Sequence, residues 1–101
     1  MPADRMELWV EEIIAPDVIA VSPAWRFGGM TGREIRISGL VVPQSSQKAA
    51  ILKERLAEQV LGQAIEVGPP YAITTDRRLE CHVYIGEKKL TTTLLDRRAH
   101  A

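Results

Sequence analysis

The sequence is poor in cysteine and histidine, with one cysteine and two histidines among 101 residues. A single cysteine, Cys81, excludes an intrachain disulfide and a zinc site built on cysteines, and it fits a reducing compartment. His82 follows Cys81 in a predicted strand, so the two side chains point to opposite faces, and His100 lies beside the last residue. We therefore expect no metal site made from these residues.

The sequence also lacks an excess of charge of one sign and a long hydrophobic run. Thirteen basic residues balance thirteen acidic ones, which argues against a strong non-specific nucleic-acid binder. Three basic pairs (Arg77-Arg78, Lys88-Lys89 and Arg97-Arg98) leave a local patch open, although solvated surface charge is the alternative. No stretch approaches the roughly 18 apolar residues of a membrane span, and residues 1–9 do not form a secretory signal. We expect a cytoplasmic protein with no membrane contact.

What the sequence does contain is a series of short β-strand patterns. Hydrophobic residues make up 46% and charged residues 26%, as in a globular protein, and the length suggests one domain over residues 1–101. Apolar alternation predicts strands at residues 6–14, 18–21 and 33–42, then at 64–67 and 79–85. Residues 22–32 contain Pro23 and three glycines, which predicts a loop or a wide hairpin connection. Residues 71–78 are predicted as a loop, and residues 91–98 as a short final helix.

One amphipathic helix is predicted between the third and fourth strands, over residues 45–61. Ala49, Leu52, Leu56 and Val60 form a single apolar stripe, Ser45 or Ser46 can cap the start, and Gly62 suits the end. Five short strands with a helix after the third are typical of a small Greek-key barrel. The expected fold is mainly β: a five-stranded barrel like the oligonucleotide-binding (OB) fold, with this helix and a short C-terminal one.

Four segments in this order resemble the staphylococcal nuclease-like family. Residues 13–21 are similar to the family string V-I-D-G-D-T, and Arg36-Ile-Ser-Gly-Leu-Val-Val-Pro-Gln44 resembles R-L-x-G-I-D-x-P-E with its arginine, glycine and proline in place. Residues 49–67 look like the family's helix-to-strand passage. Residues 76–85 resemble D-x-y-G-R-x-L-A-y-V, and residues 90–99 follow where that family has its last motif.

The resemblance implies a calcium-dependent phosphodiesterase, in which aspartates hold the metal, a glutamate assists water and two arginines clamp the phosphate. Asp17 matches one aspartate and Arg36 one arginine. The other positions are substituted: Ala15 and Val41 stand at metal-binding aspartates, Gln44 at the glutamate and Glu80 at the second arginine. Valine offers no ligand, glutamine cannot accept a proton at neutral pH, and Glu80 reverses the charge. We expect no catalytic residue by this mechanism and no cofactor, with calcium only if the site survives on Asp17.

The surviving residues each have an ordinary structural explanation as well. Asp17 follows Pro16 at a turn, where aspartate often bonds the backbone, and Arg36 could pair across strands with Glu80. Trp25, Arg26 and Phe27 could stack on bases or hold a peptide, together with Arg36, Arg77 and Arg78. The alternative is that Trp25 or Phe27 fills one end of the barrel, because the chain has only five aromatic residues.

Three hypotheses for the function are compatible with the sequence. The first is an inactive nuclease-like module that binds nucleic acid or protein through the barrel face and the segment around Trp25. The second is a divalent-metal-dependent phosphodiesterase with a rearranged site that uses Asp17, Arg36 and Glu66 or Glu80. The third is a structural or oligomerising domain. The sequence favours the first.

Overall fold

A computed structural model describes residues 6–86 and 88–90, and most of them lie in β-strands. The strands are β1 (Met6–Ala15), β2 (Val18–Phe27), β3 (Met30–Ile37), β4 (Ala64–Ile73), β5 (Leu79–Ile85) and the two-residue β6 (Lys88–Lys89). The helix α1 (Ser46–Val60) lies between β3 and β4. Leu8 and Val10 of β1 and Leu79, Cys81 and Val83 of β5 are buried at every second position, as the sequence pattern predicts.

The sheet closes into a barrel through one parallel pairing. Its order is β3-β2-β1-β4-β5-β6, and β3 also pairs with β5. Ile35 lies opposite Leu79 and Ile37 opposite Cys81 in this parallel pair, while the other neighbours are antiparallel. Strands β1 to β5 therefore form a closed five-stranded OB-like barrel, and the predicted fold is confirmed.

The barrel interior is filled mainly by branched aliphatic side chains and one tryptophan. Leu56 and Val60 of α1 contribute to the same core, so the helix covers one end of the barrel. The fully buried side chains include Ile19, Val21, Trp25, Ile35, Leu56, Val60, Val67, Leu79, Cys81 and Leu90. No buried polar or charged side chain occurs among the described residues. Hydrophobic burial is consequently the main stabilising contribution inside the barrel.

Helix α1 begins and ends as its sequence predicts. The Ser45 hydroxyl accepts a hydrogen bond from the Lys48 backbone N–H at 3.4 Å, which caps the first turn. Gly62 follows the helix with a φ of +74°, a left-handed conformation that suits glycine. Its N–H donates to the Val10 carbonyl, and the Val10 N–H donates to Gln63. These bonds attach the end of α1 directly to β1.

Two of the predicted loops are only partly correct, because strands continue into them and leave a turn at residues 28–29 and a loop at residues 74–78. Residues 22–27 belong to β2 and residues 30–32 to β3, joined by a tight turn at Gly28 and Gly29, both with positive φ. Residues 71–73 likewise belong to β4. The pairing shifts register between Ala20 and Trp25 and between Gly68 and Ala72. Prolines occupy both irregular stretches, where a missing backbone donor is tolerated.

Other boundaries move by a few residues or lie outside the described chain. The third strand, predicted at 33–42, is displaced to Met30–Ile37, and Gly39 lies in the turn after it with a φ of +83°. The predicted final helix over residues 91–98 lies outside the described residues. No helix in the described part of the chain is both long and apolar enough to span a membrane.

Candidate functional site

The structure brings three of the predicted site residues together at one end of the barrel. Asp17 occupies the turn between β1 and β2, and its backbone carbonyl accepts a hydrogen bond from Ile37 at 2.8 Å. Arg36 lies on β3, directly opposite Glu80 of β5 in the parallel register. Asp17, Arg36 and Glu80 therefore share this region, which we call the polar end.

Arg36 pairs with Asp17 across the polar end. Its Nε lies 3.3 Å from Asp17 Oδ2, and the Asp17 side chain is only 15% exposed, against 51% for Arg36. The sequence left Glu80 open as the partner, and the register does place Glu80 beside Arg36. The ion pair itself, however, is made with Asp17. The two residues that match the resembled motif, Asp17 and Arg36, thus neutralise each other.

Arg78 is the second arginine of the polar end, and two carboxylates hold it. Its Nε donates to Glu34 at 2.8 Å and its Nη1 lies 2.5 Å from Asp76. Its backbone N–H donates to the Thr74 hydroxyl, which fixes the loop before β5. The hydrogen bond to Glu34 raises the pKa of the Arg78 guanidinium above its already high value. Arg78 is therefore part of an internal network, not a free cation.

The balance of charge at the polar end is negative. The pairs and registers gather four carboxylates (Asp17, Glu34, Asp76 and Glu80) around two guanidiniums (Arg36 and Arg78). A hydrogen bond from Thr74, together with the charges of Arg78 and Arg36, holds the pKa of the Asp76 carboxyl below its usual range. Carboxylates therefore outnumber guanidiniums at the polar end by four to two, which disfavours the binding of a phosphate there.

The residues at the positions where the resemblance would place calcium ligands do not fit a calcium ion. Calcium takes about six to eight oxygen ligands, mostly from carboxylates. Ala15 and Val41 supply none, and Val41 is 85% exposed in the segment between β3 and α1. Gln44 is also exposed there, and Asp17 is engaged with Arg36. Among residues 6–86 and 88–90, no group of three or more histidine, cysteine or acidic residues could hold a metal.

The structure separates Trp25, Arg26 and Phe27, which the sequence grouped as one binding set. Trp25 is fully buried, and its indole Nε1 donates to the Glu34 carbonyl at 2.9 Å. It therefore fills the barrel, the alternative that the sequence left open. Phe27 is half-buried, with its ring centroid 5.3 Å from that of Tyr71. Arg26, which lies between Trp25 and Phe27 in the sequence, is exposed and points to the opposite face of β2.

The remaining candidates have separate environments. Arg77 is exposed in the loop before β5, with a φ of 65°, and lies next to Arg78 without sharing its carboxylates. Burial, followed by the charge of Glu80, raises the pKa of the Cys81 thiol to about 12, so it is no nucleophile. Burial, followed by the charge of Lys89, lowers the pKa of His82. His100 and Arg97-Arg98 lie outside the described residues.

Two features of the structure were not predicted from the sequence. Glu34 and Asp76 complete the polar end. In the sequence, Glu34 alternates with apolar residues of a predicted strand and Asp76 lies at a turn, which indicates exposure but not a site. The second feature is a cleft of about 580 Å³ between α1 and β1. The sequence did contain a sign of this cleft. Ala50 and Ala57 are small residues that directly follow Ala49 and Leu56 of the apolar stripe.

Comparison with known proteins adds no relative. A search of protein-family models found no match, and neither did searches of curated proteins or of solved structures.

Proposed function

We propose that this chain is a non-catalytic binding module built on a degenerate nuclease-like barrel, and that its ligand is a protein. The observation that carries the proposal is the pairing of Arg36 with Asp17 and of Arg78 with Glu34 and Asp76. A phosphate would have to displace these carboxylates, at a site whose charge is already negative. The apolar cleft beside α1 offers the surface that the polar end does not.

The rearranged phosphodiesterase receives less support. Asp17, Arg36 and Glu80 are neighbours, but Glu66 lies opposite Tyr84, four residues along β5 from Glu80. Four strand residues span about 13 Å, too far for both acidic groups to share one metal. Asp17 and Glu80 would remain as carboxylates beside Arg36, while Arg78, the other arginine of the polar end, is held by Glu34 and Asp76 and not available as the second cationic clamp that phosphoryl transfer uses.

Single-stranded nucleic acid is the second candidate, favoured by one observation. Phe27 and Tyr71 form an aromatic pair on the β2–β3 hairpin side, and Arg26 and Met30 are exposed close to the same turn. Aromatic rings with a nearby cation are how OB-like barrels stack bases. Against it, the rings contact each other, Trp25 is buried, and the net charge of the chain is zero.

The test is an NMR titration of the isotope-labelled full chain. The probes are calcium with a nucleotide bisphosphate, and separately a short single-stranded oligonucleotide, each to millimolar concentration. We expect no saturable shift at Asp17, Arg36, Arg78 or Phe27. A calcium-supplemented nuclease assay accompanies the titration, and we expect no release of nucleotides.

Two results would overturn the proposal. Saturable shifts at the polar end, with nucleotide release abolished by Asp17→Ala, would establish the phosphodiesterase. Saturable shifts on oligonucleotide binding that Phe27→Ala removes would establish the nucleic-acid module instead. The Arg77→Ala variant serves as a control, because Arg77 lies outside the pairs that hold the polar end together.

A further inference from the structure

A cleft lies between β1 and one side of α1. It has a volume of about 580 Å³. Glu11, Glu12 and Ile13 line it from β1, and Ala50, Lys53, Glu54, Ala57 and Leu61 line it from the helix segment. None of the eight lining residues takes part in the ion pairs of the polar end.

The cleft exists because α1 carries a second stripe, rotated by one residue from the one that packs in the core. Leu52, Leu56 and Val60 face the barrel. Ala50, Ala57 and Leu61 follow the same helical spacing on the adjacent side. Alanine methyl groups fill little space, and a gap lies between this side of α1 and β1.

Two large apolar side chains are exposed on the elements that form the cleft. Leu61, which lines it, is 46% exposed, and Trp9 is 55% exposed on β1, the strand that supplies Glu11 and Glu12. Exposed aliphatic and aromatic side chains of this kind are typical of a protein-binding surface. From Ala50 to Val60 the helix rises about 15 Å, which is the length of about four to five residues of extended peptide.

The charge of the rim favours a partner that carries cations. Three glutamates and one lysine line the cleft. Arg33 pairs with Glu11 from the side of β3. Among the described residues, Glu12, Glu54 and Lys53 make no ion pair, so the rim carries one uncompensated negative charge.

We propose that this cleft binds an extended peptide segment of another protein, in which aliphatic or aromatic side chains alternate with lysine or arginine. The apolar side chains occupy the floor between Ile13, Ala50 and Ala57, and the cations lie against Glu12 and Glu54. This inference rests on the proposed function, because it names the partner and the surface of a protein-binding module.

The experiment uses a library of seven-residue peptides displayed on phage, selected on the full chain. Enriched sequences are synthesised and their binding is measured by NMR titration. Ala50→Phe fills the cleft from the exposed side of the helix without touching the core. Ile51→Phe is the matched control, since Ile51 is 43% exposed on α1 but does not line the cleft.

We expect enriched peptides to combine Leu, Ile, Phe or Trp with Lys or Arg, and to shift the resonances of Ile13, Ala50 and Ala57. Ala50→Phe should weaken binding about tenfold or more, because it removes the space for one apolar side chain, and Ile51→Phe should not. The double variant Glu12→Lys/Glu54→Lys should weaken binding as well, and added salt should do so for the wild type.

The outcomes separate this inference from the proposed function. Peptides that bind wild type and Ala50→Phe equally would overturn the cleft while leaving a protein-binding module intact. No enrichment, or a dimer of the chain that Ala50→Phe dissociates, would overturn the cleft as a peptide site. No enrichment together with saturable oligonucleotide binding would overturn both.

Discussion

The indole of Trp25 lies against the backbone of Gly32, its register partner across the β2–β3 hairpin. A Cβ atom built on Gly32 would be 2.5 Å from Trp25 Cζ2 and 2.9 Å from Cε2. The same indole donates to the Glu34 carbonyl, while the Glu34 carboxylate holds Arg78. The core of the barrel and its polar end therefore meet at one stretch of β3.

Gly32→Ala should destabilise the protein by about 1–3 kcal/mol, because the added methyl group overlaps the ring of a fully buried side chain. Chemical denaturation measures the loss, and near-ultraviolet circular dichroism should show an altered tryptophan signal. Thr31→Ala is the control, since Thr31 is exposed in the same strand. An unchanged midpoint and spectrum would mean that Trp25 does not rest on Gly32.

Cys81 should be unreactive in the folded protein. Its side chain is fully buried, and burial raises the pKa of the thiol to about 12, so almost no thiolate forms near pH 8. We expect labelling by an aromatic disulfide to be slower than in the unfolded chain by at least about a thousandfold. Because the sequence has one cysteine, the rate reports opening of β5 directly. Labelling at the rate of a free thiol under native conditions would contradict the closed barrel.

The Asp76 carboxyl should titrate below its usual range, because it accepts a hydrogen bond from Thr74 and lies near Arg78. A pKa that is lower in the folded state stabilises the fold above the ordinary carboxyl pKa, and this contribution is lost as the pH falls through the lowered value. Thr74→Val should move the pKa of Asp76 upward, and Thr74→Ser should restore it. Carbon-detected NMR measures both, with Thr75→Val as the control. An identical titration in Thr74→Val would exclude the hydrogen bond as the main cause.

The barrel could be predicted from the sequence because apolar residues recur at every second position in parts of its strands. Residues 79–85 show this best: three of the four apolar positions are buried, and the predicted bounds match β5. Helix α1 was predictable from its stripe, its Ser45 cap and Gly62. These signals are local, so a single sequence is enough to recognise them.

The extent of the β2–β3 hairpin could not be predicted in the same way. Pro23 interrupts the pairing, and a proline normally ends a strand, so the continuation through Trp25 to Phe27 was hidden. The tight turn did leave a signal in Gly28 and Gly29, since two adjacent glycines favour a two-residue turn. The strand register that places Trp25 against Gly32 cannot be predicted from the local sequence.

The polar end was predicted by position but not by its pairing. Sequence placed Asp17, Arg36 and Glu80 in one site, and the register of β3 and β5 brings them together. It did not indicate that Glu34 and Asp76 would hold Arg78, because those contacts depend on a loop conformation set by Thr74. The cleft beside α1 depends on the distance between helix and strand, which sequence periodicity does not give.

The pairing of Arg78 with Glu34 should be measurable as a coupling energy. Both side chains are partly exposed, at 27% and 46%, so water and salt weaken the pair. A double-mutant cycle with Glu34→Gln and Arg78→Gln should give about 0.5 kcal/mol in low salt and less in concentrated salt. Chemical denaturation of the four proteins supplies the free energies of unfolding.

The neighbouring arginine provides the matched control for this cycle. Arg77 has the same charge and lies one residue away, but it makes no ion pair within the part of the chain that the structure describes. The cycle of Glu34→Gln with Arg77→Gln should therefore give no coupling beyond error. Equal coupling in both cycles would show that Glu34 senses only the general charge of the loop, and the polar end would then retain an arginine able to bind phosphate.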